Sequence, residues 1–457
     1  MAGPFQTIPL GDGASADLYL LRYGKDGLLR SPAAEGAVEE QLAGVSDVFF
    51  FAHGWNNVFA QALDRYRNFA AGYIGQSAEF DIRHPGPGPY QPLLVGAVWP
   101  STSFVMPWEQ GPVIAGPTDP DGAASTEQEE LLALATSEMD AAADRALVDA
   151  VDGRTAVDTA TATELATILL RNLRATPDPD DGSAPPDVTG LLRIWAELGG
   201  GPRPEPSEAP ARFGRVGSRG AGTPPDAASL MYDPRDILRI ASVWQMKARA
   251  GVVGATGVAP LLESILRSDA RLHLIGHSFG ARVVLSALNA SAAERSAHSM
   301  LLLQPAVNRW CLAPTVDGTG QPGGYHSVLG KVERPILTTF SSHDKPLTSV
   351  FHLAMRGRNL GEGQPETAAV GDWYRYGALG GYGPAGLDGQ ATTCEAVTPG
   401  QGHYPVGGTA RVIAVKGGSK VDGEVPIPGH GGISNRFTWW ALHDLTRGDL
   451  RADTTGS

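Results

Sequence analysis

The sequence predicts an α/β architecture: a mostly parallel sheet flanked by helices and interrupted by a helical insertion. Three observations carry this. Short apolar runs, VFFFA (Val48–Ala52), LLVGAV (Leu93–Val98) and LHLI (Leu272–Ile275), are stopped by Gly or Pro, as expected of strands covered on both faces. Helical patterns alternate with them, the arrangement that builds parallel sheets through helical crossovers. From about Trp108 to Pro234 the alternation stops, and only helical spacing and Pro/Gly-rich stretches remain.

Taken in order, the first strand Val48–Ala52 is followed by a helical pattern over Phe59–Ala71 and by the strand Leu93–Val98. Within the insertion, Glu127–Val151 and Thr161–Arg174 carry Ala, Leu and Glu at helical spacing, and Val188–Leu198 is a shorter helix candidate. PDPDDGSAPP (Pro177–Pro186) and the stretch Gly199–Pro225 read as loops or linkers. The chain then returns to alternation: helix Leu261–Arg267, strand Leu272–Ile275, helix Ala281–Asn289, strands Met300–Leu303 and Ile336–Phe340, and a last strand Arg411–Val415. The expected division is a core split in two, 1–107 and 235–457, by an insertion over 108–234 that is a candidate lid. GVVGATG (Gly251–Gly257) lacks Gly-x-Gly-x-x-Gly spacing and a preceding strand, so it reads as a loop and not as a nucleotide site.

With 457 residues, 42% hydrophobic and 19% charged, the chain is long and apolar enough to bury a sizeable core. A net charge of −13 argues against a general nucleic-acid binder, which needs clustered Lys and Arg. Cys311 and Cys394 are the only cysteines and build no disulfide framework. The start, MAGPFQTIPLGDGASADLYL, shows no basic segment followed by an apolar run, and no stretch approaches the ~18 apolar residues of a membrane span. The expectation is a soluble cytoplasmic protein, with export by a signal-free route left open. Neither zinc nor calcium spacing occurs, so no metal or other cofactor is expected.

Chemistry concentrates at Gly276-His277-Ser278-Phe279-Gly280. A Gly-x-Ser-x-Gly pattern arises by chance roughly 0.4 times in a chain this rich in Gly, so the motif alone is weak. Its context is stronger: a strand pattern ends at Gly276 and a helix pattern begins after Ser278. That is what a strained turn presenting a nucleophilic hydroxyl requires, with Gly276 and Gly280 removing side chains that would collide there. An alcohol needs a base to take its proton and donors aimed at the oxyanion. His53-Gly54 directly follows a strand, which points to the backbone N–H groups of Trp55 and Phe279 as oxyanion donors, with Gly54 permitting close approach.

The acid and base should follow the serine in the order acid, then His. Asp344 in TTFSSHDKPL lies just past the strand Ile336–Phe340, whereas QPAVN after Met300–Leu303 offers no carboxylate. Beyond it, His430 (IPGHGGISN) sits in a loop between the last strand and the last helix pattern and is the expected base. His403 (QGHYP) is the alternative from another loop. His352 and His443 lie in apolar or helical patterns and read as packing residues. His53 also competes as a base, but its place before Gly in a strand-end loop fits packing. His277 and His343 read as structural or incidental. Trp55 and Trp108 are the tryptophans expected nearest an acyl pocket.

HGWNN (His53–Asn57), AVWPS (Ala97–Ser101), GHSFG and SSHDKPL together resemble the bacterial α/β-hydrolases of the DUF900 type, within the wider lipase/esterase superfamily. The similarity covers about residues 45–105 and 235–345, and the C-terminal third only through the order of its elements. The insertion departs from it. The resemblance implies a serine hydrolase fold whose substrate is undefined. Ser278, His430 and Asp344 are expected to cleave a small-molecule carboxylic ester through an acyl-enzyme. An amidase, peptidase or thioesterase using the same residues, and a non-catalytic partner-binding protein on this scaffold, stay open as alternatives.

Overall fold

The computed structural model describes residues 3–11, 14–54, 59–82, 90–101, 141–151, 154, 156–173, 187–200, 232–317, 320–351 and 375–447. Among these residues nine strands form one sheet, in the order β1-β2-β4-β3-β5-β6-β7-β9-β8. They are β1 (Gln6–Gly11), β2 (Ala14–Arg22), β3 (Asp47–Ala52), β4 (Pro92–Val98), β5 (Arg271–His277), β6 (Ser299–Leu303), β7 (Ile336–Phe340), β8 (Ala391–Glu395) and β9 (Val412–Lys416). Only β1, paired with β2, is antiparallel; every other neighbouring pair is parallel. The architecture is thus a mostly parallel mixed sheet flanked by helices.

The six strands read from the sequence are found, each within one or two residues of the expected ends. β1, β2 and β8 were not read. β1 carries a proline, and β8 is an exposed edge strand with the polar sequence ATTCE. Neither shows the apolar run that marks a strand covered on both faces.

Helices cover both faces. On one side, α1 (Pro32–Gln41), α6 (Pro234–Val252), α7 (Ala259–Arg267) and α8 (Phe279–Ala290) enclose the larger core. On the other, α2 (Phe59–Glu79) and α9 (Arg436–Thr446) cover a second core of Phe49, Phe69, Ile275, Leu301, Leu337, Trp440 and their neighbours. The start of α9 is set by Asn435, whose side chain accepts from the Phe437 and Thr438 N–H groups while Thr438 Oγ1 accepts from the Asn435 N–H. Such reciprocal capping satisfies donors that a helix start otherwise leaves orphaned.

The described part of the insertion is helical: α3 (Ala141–Val151), α4 (Thr159–Leu173) and α5 (Val188–Gly200). Its buried residues Leu147, Leu165, Leu169 and Trp195 belong to the same apolar cluster as the sheet, and Trp195 donates to the Asp233 carbonyl at 2.7 Å. The first part of the helix expected over Glu127–Val151, the linker Pro177–Pro186 and the stretch beyond residue 200 lie outside the described residues.

The loop expected at GVVGATG is instead helix. α6 passes into a π-helical turn, Val253–Val258, and on into α7. Tertiary contact overrides the low helix propensity of glycine here. A Cβ at Gly254 would lie 2.3 Å from the Val283 carbonyl oxygen, and one at Gly257 would lie 2.1 Å from that of Gly27. Only glycine lets this helix press so closely on α8. The resulting run, Asp236–Arg267, is long and apolar enough to cross a membrane by length and composition, although no such run was read from the sequence. Within the molecule its most apolar stretch is 61% buried, and it serves as a core helix.

Strand order reverses between β3 and β5: the chain steps from β3 to β4 on one side and from β5 through β6 to β7 on the other. In open α/β sheets the crevice outside the carboxyl ends of the strands at such a reversal is where ligands bind. Ala52 pairs with Gly276 at this point, so the next residues, His53-Gly54 and His277-Ser278, emerge side by side.

Candidate active site

Ser278 lies in the turn between β5 and α8 with φ 56° and ψ −125°, a left-handed backbone that side-chain-bearing residues rarely adopt. Backbone bonds hold the turn: Ser278 N–H donates to the Leu303 carbonyl, and the Ser278 carbonyl accepts from Ala281 and Ala306. Three glycines make room for it. A Cβ on Gly280 would come within 2.0 Å of the Ala52 carbonyl oxygen, and one on Gly276 within 2.5 Å of Ala281 Cα. A Cβ on Gly54 would stand 2.6 Å from Ser278 Cβ, so the loop after β3 is packed directly on the serine.

The hydroxyl of Ser278 is 2.8 Å from His430 Nε2, and His430 Nδ1 is 2.8 Å from Asp344 Oδ2. Asp344 is fully buried and accepts two further bonds, from the Leu347 N–H at 3.1 Å and the Gln304 side-chain amide at 2.8 Å. Because that carboxylate accepts, Nδ1 of His430 carries the proton and Nε2 is left as acceptor for the serine O–H. The His430 side chain is 18% exposed and Ser278 2%. Hydroxyl, imidazole and carboxylate thus form one continuous chain from Ser278 at the site to a buried acid, the arrangement that can move a proton from the alcohol to the ring.

His53 does not join this chain. Both ring nitrogens are engaged: Nδ1 contacts the Gly54 carbonyl at 2.8 Å and Ser101 Oγ at 3.3 Å, and Nε2 accepts from the Trp99 N–H at 3.4 Å. The ring also stacks on Trp99. Burial drives its pKa down to about 4, against an opposing contribution from the Gly54 hydrogen bond. It braces the loop after β3.

Another ring stands beside that of His430. His277 Nε2–H donates to the His430 carbonyl at 2.9 Å, and its Nδ1 has no hydrogen-bond partner among the described residues. Burial, and then repulsion from the cationic form of His430 and from the Arg65 guanidinium, holds the His277 pKa well below the ordinary histidine value. It remains a neutral donor to the backbone of His430.

The other expected positions fall as follows. Phe279 is the first residue of α8, beside Ser278, and is buried. Trp55, Trp108 and His352 lie outside the described residues. His403 is paired with Asp444 at 2.8 Å and stacked on Trp440, in a separate cluster on α9. His443 contacts the Tyr73 carbonyl, and His343 that of Gly418.

Sequence reasoning passed over Gln304 because QPAVN contains no carboxylate. Its only signal was position: a polar residue at the carboxyl end of the strand adjoining that of Ser278. Comparison of the chain with family models, curated proteins and solved structures finds no match.

Proposed function

We propose that the chain is a cofactor-independent serine hydrolase of α/β-hydrolase type that cleaves carboxylic esters. The observation that carries this reading is the unbroken Ser278–His430–Asp344 chain, with both links at 2.8 Å, at the reversal point of the sheet. The strained backbone of Ser278 and the glycine-only approach of Gly54 support it.

In this reading Ser278 Oγ attacks the ester carbonyl carbon while its proton passes to His430 Nε2. Asp344 holds the ring in the required tautomer and stabilises the imidazolium. The Phe279 amide, at the first turn of α8, takes the developing oxyanion. The carbon–oxygen bond to the alcohol breaks as His430 returns the proton to the leaving oxygen. Water then adds to the acyl-enzyme by the same route and releases the acid.

The test is covalent labelling of Ser278 by a fluorophosphonate, run with turnover of a short-chain 4-nitrophenyl ester. Wild-type protein is expected to label stoichiometrically and to hydrolyse the ester, and Ser278→Ala to do neither. Labelling that persists in the variant would sink the reading. The triad does not read the leaving group, so a matched ester, thioester and amide series fixes the substrate class.

A further inference from the structure

We propose that Gln304 is a positioning residue for the acid–base pair: its side-chain amide clamps the Asp344 carboxylate in register with His430. This inference rests on the hydrolase reading above.

Gln304 follows β6 directly, on the strand next to the one that carries Ser278. It is fully buried and has φ 45°. Four described residues other than glycine have positive φ: Asp81, Ser278, Gln304 and Asp422. Two of these four stand at the carboxyl ends of adjacent central strands. Strain at a buried glutamine persists only where surrounding contacts over-determine it.

Those contacts converge on the amide. Nε2 donates to Asp344 Oδ2 at 2.8 Å and to the Gly380 carbonyl at 3.0 Å. Oε1 accepts from the Thr339 hydroxyl at 3.0 Å, and that hydroxyl also accepts the Gln304 N–H at 2.9 Å. Two acceptors on one side and a hydroxyl on the other fix which way the amide faces. Gly380 is required there, because a Cβ would lie 2.4 Å from the Gln304 carbonyl carbon.

The oxygen that Gln304 holds is the one that accepts from His430 Nδ1. The same segment also frames the nucleophile, since Leu303 O accepts from Ser278 N–H and Ala306 N–H donates to Ser278 O. One short loop therefore registers the serine through its backbone and the acid through its side chain. A carboxylate with three donors has its negative charge shared among them. Removing one donor leaves more charge facing His430, stabilises the imidazolium, and raises the pH below which the base is protonated.

The experiment is kcat/KM against pH for 4-nitrophenyl acetate with wild type, Gln304→Leu and Gln304→Glu. Asp344 from the β7 loop bonds the His430 ring, the His277 ring of β5 lies 5.1 Å from it, and Arg65 of α2 stands beside Gly431; substitution at 304 leaves all three in place. Gln304→Leu is expected to lose about 10-fold or more and to shift the acid limb upward by about half a pH unit. Gln304→Glu should approach wild type at low pH, where its carboxylic acid can donate, and fall behind as it ionises beside Asp344.

An unshifted acid limb in folded Gln304→Leu overturns the inference, whatever its rate. If that variant does not fold, a rate ratio of Gln304→Glu to wild type that stays constant with pH overturns it. Absence of Ser278-dependent turnover in wild type would instead overturn the hydrolase reading itself, and the inference with it.

Discussion

His277 donates its Nε2–H to the carbonyl oxygen of His430 across 2.9 Å, so the residue preceding Ser278 holds the backbone of the histidine that bonds it. The loop that carries His430 is also tied down by Asn435, whose Nδ2 donates to the Pro426 and Gly432 carbonyls. His277→Phe keeps a planar ring at this position and removes the donor. It is expected to lower ester turnover about 10-fold while Ser278 still reacts, more slowly, with a fluorophosphonate. Unchanged kcat would mean that Asn435 alone positions the loop.

Replacing either partner of the serine should separate chemistry from stability. His430→Ala and Asp344→Asn are each expected to reduce turnover by about 10³-fold or more, with Ser278 still in its strained turn. Full activity in Asp344→Asn would transfer the acid role to another carboxylate.

Gly54 and Gly280 face different consequences. A methyl at 280 meets main chain, the Ala52 carbonyl, and has nowhere to go. Gly280→Ala is expected to destabilise the fold by about 3 kcal/mol, visible as a lowered thermal midpoint. At 54 the obstacle is the Ser278 side chain. Gly54→Ala should therefore lose activity out of proportion to stability, and equal losses in both would count against its place at the site.

Acid should loosen the molecule well before its carboxylates are protonated. Burial lowers the pKa of His53 to about 4 and of His443 to about 3. The unfolded chain takes up these protons near pH 6.5, which the folded chain resists. Their contribution is thus complete above about pH 6.5 and is lost as pH falls toward 4 and 3. Asp47 extends the loss. Burial opposes its ionisation, but the His273 hydrogen bond and charge and the Arg271 guanidinium hold its pKa at about 2. The urea midpoint is expected to fall between pH 7 and 5, with a shallower fall in His443→Gln. A midpoint that stays constant over that interval would show that these rings are protonated at no cost in the fold.

The central strands were legible because burial on both faces leaves an apolar signature within five or six residues. Ser278, Asp344 and His430 were legible for a related reason: each follows or precedes an element whose local pattern is strong. The glycines of GVVGATG were misread because their meaning is tertiary. They permit contact with α8 and with Gly27, a residue more than two hundred positions away. Gln304 was silent for the same cause. Its role needs Thr339, Asp344 and Gly380 to meet at one amide, and no local spacing announces that meeting.

Strand β5 carries a second histidine between a carboxylate and a hydroxyl. His273 bonds Asp47 Oδ1 at 2.9 Å through Nε2 and Ser299 Oγ at 2.8 Å through Nδ1, at the opposite end of the sheet from Ser278. The ring is used the other way round from His430: its Nε2 meets the carboxylate and its Nδ1 the hydroxyl. Asp47, His273 and Ser299 are sealed inside, and they stitch together the entry points of three neighbouring strands. The same trio is a rivet at one end of the strand and, in the reading proposed here, a tool at the other.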